Sequence, residues 1–187
     1  ANEEARWCRS KGVDFICTDH HKIQEDQLPD AVILNPKCHP DPLYQELCGC
    51  GITFVLLRKL ATIFPTKNTL WTDLLALAGM ATICDLVPLN PVNHRIARLG
   101  VQALLKSNRP VLKKLLEKTI DNHSNIDEQD IGFRLGPRIN AVGRMAHGKK
   151  VVEAFIQDRI DPLLDFMETC NEERKKIQQN IVDEACL

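Results

Sequence analysis

The sequence VDFICTDHH occupies residues 13–21, where a β-branched and aromatic run ends in three polar side chains. A run of this kind predicts a buried strand over residues 13–18. The helical pattern of residues 3–11 precedes the strand and stops at Gly12, a residue type favoured just beyond a helix end. A helix followed at once by a buried strand indicates a parallel α/β unit.

A second strand is predicted at residues 31–34, and the proline-rich residues 37–46 are expected to be irregular. From residue 51 onward apolar residues recur with helical spacing, which predicts helices at residues 52–64, 70–83, 95–106 and 111–118. The final segment opens with Asp161-Pro162, suited to the N-cap and first position of a helix, and predicts one long helix over residues 161–186. The predicted fold class is therefore α/β, with parallel strands and several helices followed by a long connector helix.

The composition limits the classes of protein that this chain can represent. Its 187 residues carry 24 Lys+Arg and 25 Asp+Glu, a net charge of -1, and 44% of them are hydrophobic. These values suit a soluble globular chain and exclude both a disordered segment and a uniformly basic nucleic-acid coat. The longest apolar run, residues 74–84, is far shorter than the roughly 20 residues that span a bilayer, and residues 1–6 lack a signal-peptide pattern. We therefore expect a cytoplasmic protein without membrane contact, whose cysteines are thiols.

Three side chains suited to metal binding, Asp19, His20 and His21, follow the first predicted strand directly. The carboxyl ends of parallel strands border the ligand crevice of such folds, so this triplet is expected at a binding site. Imidazole and carboxylate groups together suit Mn, Zn or Fe, and neighbouring histidines can face a metal and a substrate separately. The alternative is a surface turn with two solvated histidines.

A further carboxylate, Asp85, follows the apolar residues 70–84. Burying a charge is costly unless the group is paired or binds a metal, so Asp85 is a second candidate ligand. The alternative is that Asp85 simply ends a helix.

The segment GFRLGPRINAVGR, residues 132–144, combines glycines with arginines. Glycines let backbone approach a ligand closely, and the guanidinium fork matches pairs of phosphate oxygens. Residues 94–150 contain 12 Lys/Arg against 5 Asp/Glu, a local net charge of +7 in a nearly neutral chain. The pattern favours a phosphate clamp for a nucleic-acid backbone, and the alternative is a solvated basic face.

Five motifs occur in order along the chain: VDFICTDHH (13–21), LNP (34–36), LCGCGITF (47–54), ATICDLVPL (81–89) and LGPRINAVGR (135–144). Together they resemble the RecJ-like single-stranded-DNA exonucleases of the DHH phosphoesterase superfamily, which is named for the triplet at residues 19–21. The resemblance implies a metal-dependent exonuclease that hydrolyses single-stranded DNA from the 5′ end in recombination and repair. Single-stranded DNA is the implied partner, and partner proteins are not identified by it.

The resemblance also implies roles for individual residues. His20 and Asp85 would ligate a divalent metal, Mn or Mg. His21 would face the scissile phosphate. Asp19 would not bind the metal itself but would orient the two histidines.

Substrate contacts are implied for three residues of the last motif, Arg138, Asn140 and Arg144. Cys48 and Cys50 occupy small-residue positions of a glycine-rich turn, where packing explains them better than metal binding does. No role is implied for His147, which stands where an acidic residue is expected.

The chain departs from the family pattern because two upstream metal-binding aspartate motifs are absent. We therefore expect an internal, inactive fragment, with residues 1–157 as a partial DHH catalytic domain and residues 158–187 as a connector helix toward a missing DHHA1 domain. Two other functions stay open at this point. The chain can be a DHH phosphoesterase acting on short oligonucleotides or cyclic dinucleotides, against which the segment GPRIN argues, or a noncatalytic DNA-binding or assembly module.

Overall fold

The computed structural model describes residues 2–23, 28–64, 69–120, 126–145 and 148–185. Two compact units make up the chain, Ala1–Gly100 and Val101–Leu187. His147 and Cys186, both considered from the sequence, lie outside the described residues.

The first unit begins with helix α1, Asn2–Ser10, followed by strands β1, Ile16–Thr18, and β2, Val32–Leu34. The strands pair in parallel with Ile16 opposite Val32, which confirms the predicted parallel α/β class. Strand β1 starts later than predicted, because the Val13 N–H donates to the Cys8 carbonyl at 2.9 Å and closes the end of α1 instead of joining the sheet. Gly12, at φ 68, makes the left-handed turn that this closure requires.

Three helices complete this unit, and they confirm the helical periods predicted from the sequence: α2, Gly49–Leu60; α3, Thr69–Cys84; and α4, Pro91–Lys106, whose last residues extend into the second unit. The loop predicted to be irregular contains two short 3₁₀ turns, Pro36–Cys38 and Pro42–Tyr44. Each turn begins with a proline and is capped by the preceding side chain, Asn35 or Asp41, which accepts a backbone N–H bond.

Helices α3 and α4 touch through glycines. A methyl group added to Gly79 would lie 2.6 Å from the Gly100 Cα, and one added to Gly100 would lie 2.5 Å from the Gly79 Cα. No side chain fits at either position unless the backbones move apart. The adjoining core contains Leu47, Ile52, Ala78 and Ile96.

The regular structure described in the second unit, apart from the end of α4, consists of helices: α5, Pro110–Thr119; a π-helical turn, Asp130–Leu135; α6, Gly136–Met145; α7, Lys149–Gln157; and α8, Asp161–Ala185. Helix α6 packs along α8. The buried core includes Leu112, Leu115, Ile131, Leu135, Val142, Ile160 and Met167. Helix α8 confirms the predicted long terminal helix. Among the described helices, none combines the length and the apolar character needed to cross a membrane.

Candidate functional site

The Asp19-His20-His21 triplet forms a tight turn at the carboxyl ends of both strands. The Asp19 N–H extends the ladder by donating to the Leu34 carbonyl at 3.1 Å. Oxygen Oδ1 of Asp19 then accepts the backbone N–H of His20 at 2.8 Å and that of His21 at 3.3 Å. A short acidic side chain that caps its own turn fixes the backbone that carries the two histidines.

Asp19 also holds the His21 ring. The distance between His21 Nδ1 and Asp19 Oδ1 is 2.7 Å. An ionised carboxylate can only accept, so Nδ1 carries the proton and Nε2 is left for another partner. The hydrogen bond from the His21 ring is the main reason that the pKa of Asp19 lies below its usual value, and the backbone N–H groups of His21 and His20 contribute to the same shift.

His20 meets Asp85, although the two residues are far apart in the sequence. His20 Nδ1 lies 3.6 Å from Asp85 Oδ2, and both side chains keep part of their surface exposed, 26% and 43% respectively. Asp85 directly follows α3, and its N–H donates to the Ala81 carbonyl at 2.9 Å. Leu86 then turns the chain at φ 54, a left-handed conformation that is uncommon for a bulky residue. The end of α3 thereby presents the carboxylate to the histidine.

The first turn of α2 also lies beside His20. A methyl group added to Gly49, the first residue of α2, would come 3.7 Å from His20 Cδ2. The buried Cys48 caps this helix, since its Sγ accepts the Gly51 N–H at 3.4 Å and lies 3.6 Å from Thr82 Oγ1 on α3. This packing agrees with the structural account of Cys48 given from the sequence. A helix N-terminus carries a partial positive charge and unpaired N–H groups, which favours an anion near His20.

The neighbouring thiol of Cys84 shows how much of this region is withdrawn from water. Burial raises the pKa of Cys84 to about 11, and the charges of Asp85 and Cys48 add to the shift. A thiol with so high a pKa stays protonated at neutral pH.

One residue of this region was not assigned a role from the sequence. Asn35, buried at the end of β2, donates from Nδ2 to the His21 carbonyl at 3.1 Å and accepts the Lys37 N–H on Oδ1 at 2.9 Å. It therefore ties the histidine turn to the neighbouring strand. The sequence feature that could have pointed to Asn35 was its position in an Asn-Pro pair directly after a predicted strand, next to the strand that carries the triplet.

The chemistry of the donor set fits a divalent cation in part. An imidazole nitrogen and a carboxylate oxygen, from His20 and Asp85, are ligands that Mn²⁺ accepts, and Mg²⁺ accepts the carboxylate. Within the described ranges, no group of three or more His, Cys, Asp or Glu side chains could hold a metal ion. The pair thus offers a cation one imidazole nitrogen and one carboxylate group.

The structure does not leave the three predicted substrate residues equally accessible. Arg138, on α6, donates from Nε to Glu168 Oε2 at 2.7 Å and from Nη2 to Oε1 at 3.3 Å. It donates further to the Arg134 carbonyl at 2.8 Å. The bond from Arg138 lowers the pKa of Glu168. Asn140 and Arg144 lie exposed on the same helix. Because Arg138 is already engaged, Arg144 is the guanidinium better disposed to meet a phosphate.

Comparisons with known proteins agree with these features. Residues 1–82 match the model of the DHH family, N-terminal domain. The chain is 36% identical to the single-stranded-DNA-specific exonuclease RecJ of Bacillus subtilis over 191 residues and 32% identical to that of Escherichia coli over 194 residues. The chain is therefore similar to RecJ exonucleases over nearly its whole length.

Solved structures support the same fold. A crystal structure of exonuclease RecJ bound to manganese superposes with a TM-score of 0.83 at 25% identity, covering 98% of this chain and 46% of that one. The structure of RecJ in complex with Mn²⁺ from Thermus thermophilus gives a TM-score of 0.85 at 24% identity, covering 98% of this chain and 28% of that one.

These alignments cover nearly all of this chain but only a minor part of each relative. Alignment covers 99% of this chain but 23% of the Bacillus subtilis protein, and 95% of this chain but 33% of the Escherichia coli protein. The chain thus spans a third or less of the length of these two curated relatives.

Proposed function

We propose that this chain is part of the catalytic domain of a divalent-metal-dependent exonuclease that removes nucleotides from the 5′ end of single-stranded DNA. The observation that carries the proposal is the meeting of His20 and Asp85 beside the Asp19–His21 pair, at the carboxyl ends of two parallel strands. The likeness to RecJ exonucleases, two of them solved with manganese, supports it.

In this proposal His20 and Asp85 hold Mn²⁺ or Mg²⁺. When bound, the cation supplies a Lewis acid and lowers the pKa of a coordinated water. Asp19 would hold the proton of His21 on Nδ1 and so direct Nε2 toward the scissile phosphate, where Nε2 of the neutral ring would accept a proton from the attacking water. The N-terminus of α2, next to His20, favours the negative charge of the phosphodiester.

The domain organisation belongs to the same proposal. Residues 1–157 form part of a DHH catalytic domain, and residues 158–187 form a connector toward a DHHA1 domain. The left-handed turn at Asp158 between α7 and α8, and the exposed surface of α8 over residues 175–185, support a connector. By itself the chain is expected to be inactive, since two ligands do not close a dinuclear site. A cytoplasmic location follows from the proposed DNA substrate.

The test is nucleotide release from 5′-phosphorylated single-stranded DNA by the full-length gene product that contains this chain, with Mn²⁺ present. Removing groups that support metal ligands typically costs 10–100-fold, so His20→Ala and Asp85→Asn should each lower the rate by more than about 100-fold. His94→Ala is the matched control, because His94 is an exposed histidine of the same unit, on α4. Full activity of His20→Ala, or hydrolysis of short oligonucleotides alone, would contradict the proposal.

A further inference from the structure

A cleft of about 380 Å³ lies in the second unit, between α7 and the first turns of α8. Its floor is apolar, because Ala154 and Leu163 are both buried there. Its walls carry an aromatic ring, an amide and two cations, from Phe166, Gln157, Lys150 and Arg159. An apolar floor with a few polar groups around it is the usual character of a small-molecule site.

The corner of this cleft is held by contacts that need no ligand. Asp158 turns the chain at φ 54, and its Oδ1 accepts the Val111 N–H at 3.1 Å. Arg109 donates to the Phe155 carbonyl, and the Arg159 N–H donates to the Ala154 carbonyl at 3.0 Å. The bonds of Asp158 and Arg109 join the end of α7 and the turn after it to the start of α5, and the Arg159 bond closes the turn itself. A site arranged in advance loses less entropy when it binds a ligand.

The charge of the cleft favours an anion. Lys150 and Arg159 are both exposed and both line it. The acidic side chain in the lining, Glu153, lies 3.7 Å from the ammonium of Lys149, so a lysine outside the lining offsets its charge. A lysine and an arginine at one cleft are suited to phosphate oxygens.

The aromatic ring adds a second kind of recognition. The Lys150 Nζ lies 4.2 Å from the centroid of the Phe166 ring. Phe166 is half-buried and Lys150 is exposed, so part of the ring surface stays accessible. Proteins that bind single strands combine such a face, on which a base stacks, with cations that follow the phosphates.

We propose that this cleft is a nucleotide subsite for single-stranded DNA. One base stacks on Phe166 in place of the Lys150 ammonium, which moves to a neighbouring phosphate together with Arg159, and the Gln157 amide bonds to the base edge. The inference rests on the proposed function for the identity of its ligand. It adds a contact that is separate from the predicted substrate residues of α6.

The test is fluorescence anisotropy of a 5′-labelled oligothymidylate with the 187-residue chain, in metal-free buffer so that hydrolysis cannot occur. Stacking on an aromatic side chain contributes enough that Phe166→Leu should weaken binding about fivefold or more, while Phe166→Tyr keeps the ring and the affinity. Lys150→Gln should weaken binding and also reduce the slope of log K against log salt by about 0.7, because one phosphate contact is lost.

Lys113→Gln is the matched control, since Lys113 is exposed on α5 and does not line the cleft. Melting curves followed by circular dichroism verify that every variant is folded, and Arg159→Gln tests the cleft again without altering the ring.

If the parent binds and the cleft variants bind like Lys113→Gln, the subsite is wrong while the proposed function stands. If the parent binds no single strand, the subsite is wrong, whereas the proposed function is decided separately by nuclease activity of the full-length protein. Equal binding of a duplex with the same dependence on Phe166 would exclude stacking of an unpaired base.

Discussion

The two units use their charged side chains in different ways. In the first unit, His20 and Asp85 follow β1 and α3, and each keeps part of its surface in contact with solvent. In the second unit, Arg138 lies within α6 and donates to both carboxylate oxygens of Glu168 on α8. A charged residue just past the end of an element is positioned by the backbone, and its side chain can still meet a ligand. A charged residue inside a packed helix pair bonds to a side chain of the other helix and stabilises the fold.

The largest expected effect concerns the helix crossing that holds α3, and hence Asp85, in place. Gly79→Ala and Gly100→Ala each force a methyl group into backbone at 2.6 and 2.5 Å. Backbone cannot swing aside as a side chain can, so each change should lower the free energy of unfolding by about 3 kcal/mol. The measurement is urea unfolding followed by circular dichroism.

Gly143, in the second unit, is the matched control for that experiment. It lies in α6 with nothing within 4 Å of an added methyl group. Gly143→Ala should therefore stabilise the protein by about 0.5–1 kcal/mol through helix propensity. Equal effects at Gly79 and Gly143 would show that the close crossing is not required.

The next effect separates the two arginines of α6. Arg138→Lys loses the two-pronged bond to Glu168, so it should lower the free energy of unfolding by about 1 kcal/mol, a value kept small because the pair is partly exposed. Arg144→Lys should change stability by less than about 0.5 kcal/mol, since Arg144 is exposed. If Arg144 grips a phosphate, its lysine variant should instead bind a 5′-phosphorylated single strand about 1 kcal/mol or more weaker. Unfolding and anisotropy measurements on the same two variants test whether Arg138 serves stability and Arg144 serves binding. The assignment is wrong if both variants change the free energy of unfolding alike.

A smaller effect is expected in the pH dependence of stability. The Arg138 bond lowers the pKa of Glu168 in the folded protein below the ordinary value of 4.5. A lowered carboxyl pKa stabilises the fold above the unfolded pKa, and this contribution disappears as the pH falls through the folded pKa. The difference in unfolding free energy between the parent and Glu168→Gln should therefore be present at about pH 6 and should shrink steadily as the pH is lowered through the folded pKa. Glu172→Gln, an exposed carboxyl on the same helix, is the control, and a difference that grows on acidification would contradict the assignment.

Much of the fold could be predicted because its signals are local. Periodic apolar residues marked α2 to α5, Asp161-Pro162 marked the start of α8, and Gly12 marked the end of α1 correctly. The length of β1 could not be predicted, because Val13 bonds to the end of α1 rather than to a strand, and a β-branched residue gives the same signal in either case. The α3–α4 crossing was also missed, since two glycines in separate helices do not reveal that they meet.

The candidate site could be predicted only in part. The placement of Asp19 and His20 follows from the rule for parallel strand ends, and their association with Asp85 was implied by family resemblance. The Glu168 partner of Arg138 was not foreseen, because 30 positions separate them and the helical packing that joins them is a tertiary property. Asn35 was missed for a similar reason, since its amide acts on a backbone carbonyl in another loop.

The most direct test of the central claim, that His20 and Asp85 hold one cation together, is Mn²⁺ binding to the chain measured by electron paramagnetic resonance of the unbound ion. The parent should bind weakly, and His20→Ala and Asp85→Asn should each reduce the affinity about tenfold or more, with His94→Ala unchanged. The loss in the double variant should be smaller than the sum of the two single losses, because removing either side chain already forfeits the joint hold on the same ion. Unchanged affinity in either single variant, or losses that simply add in the double variant, would contradict the account.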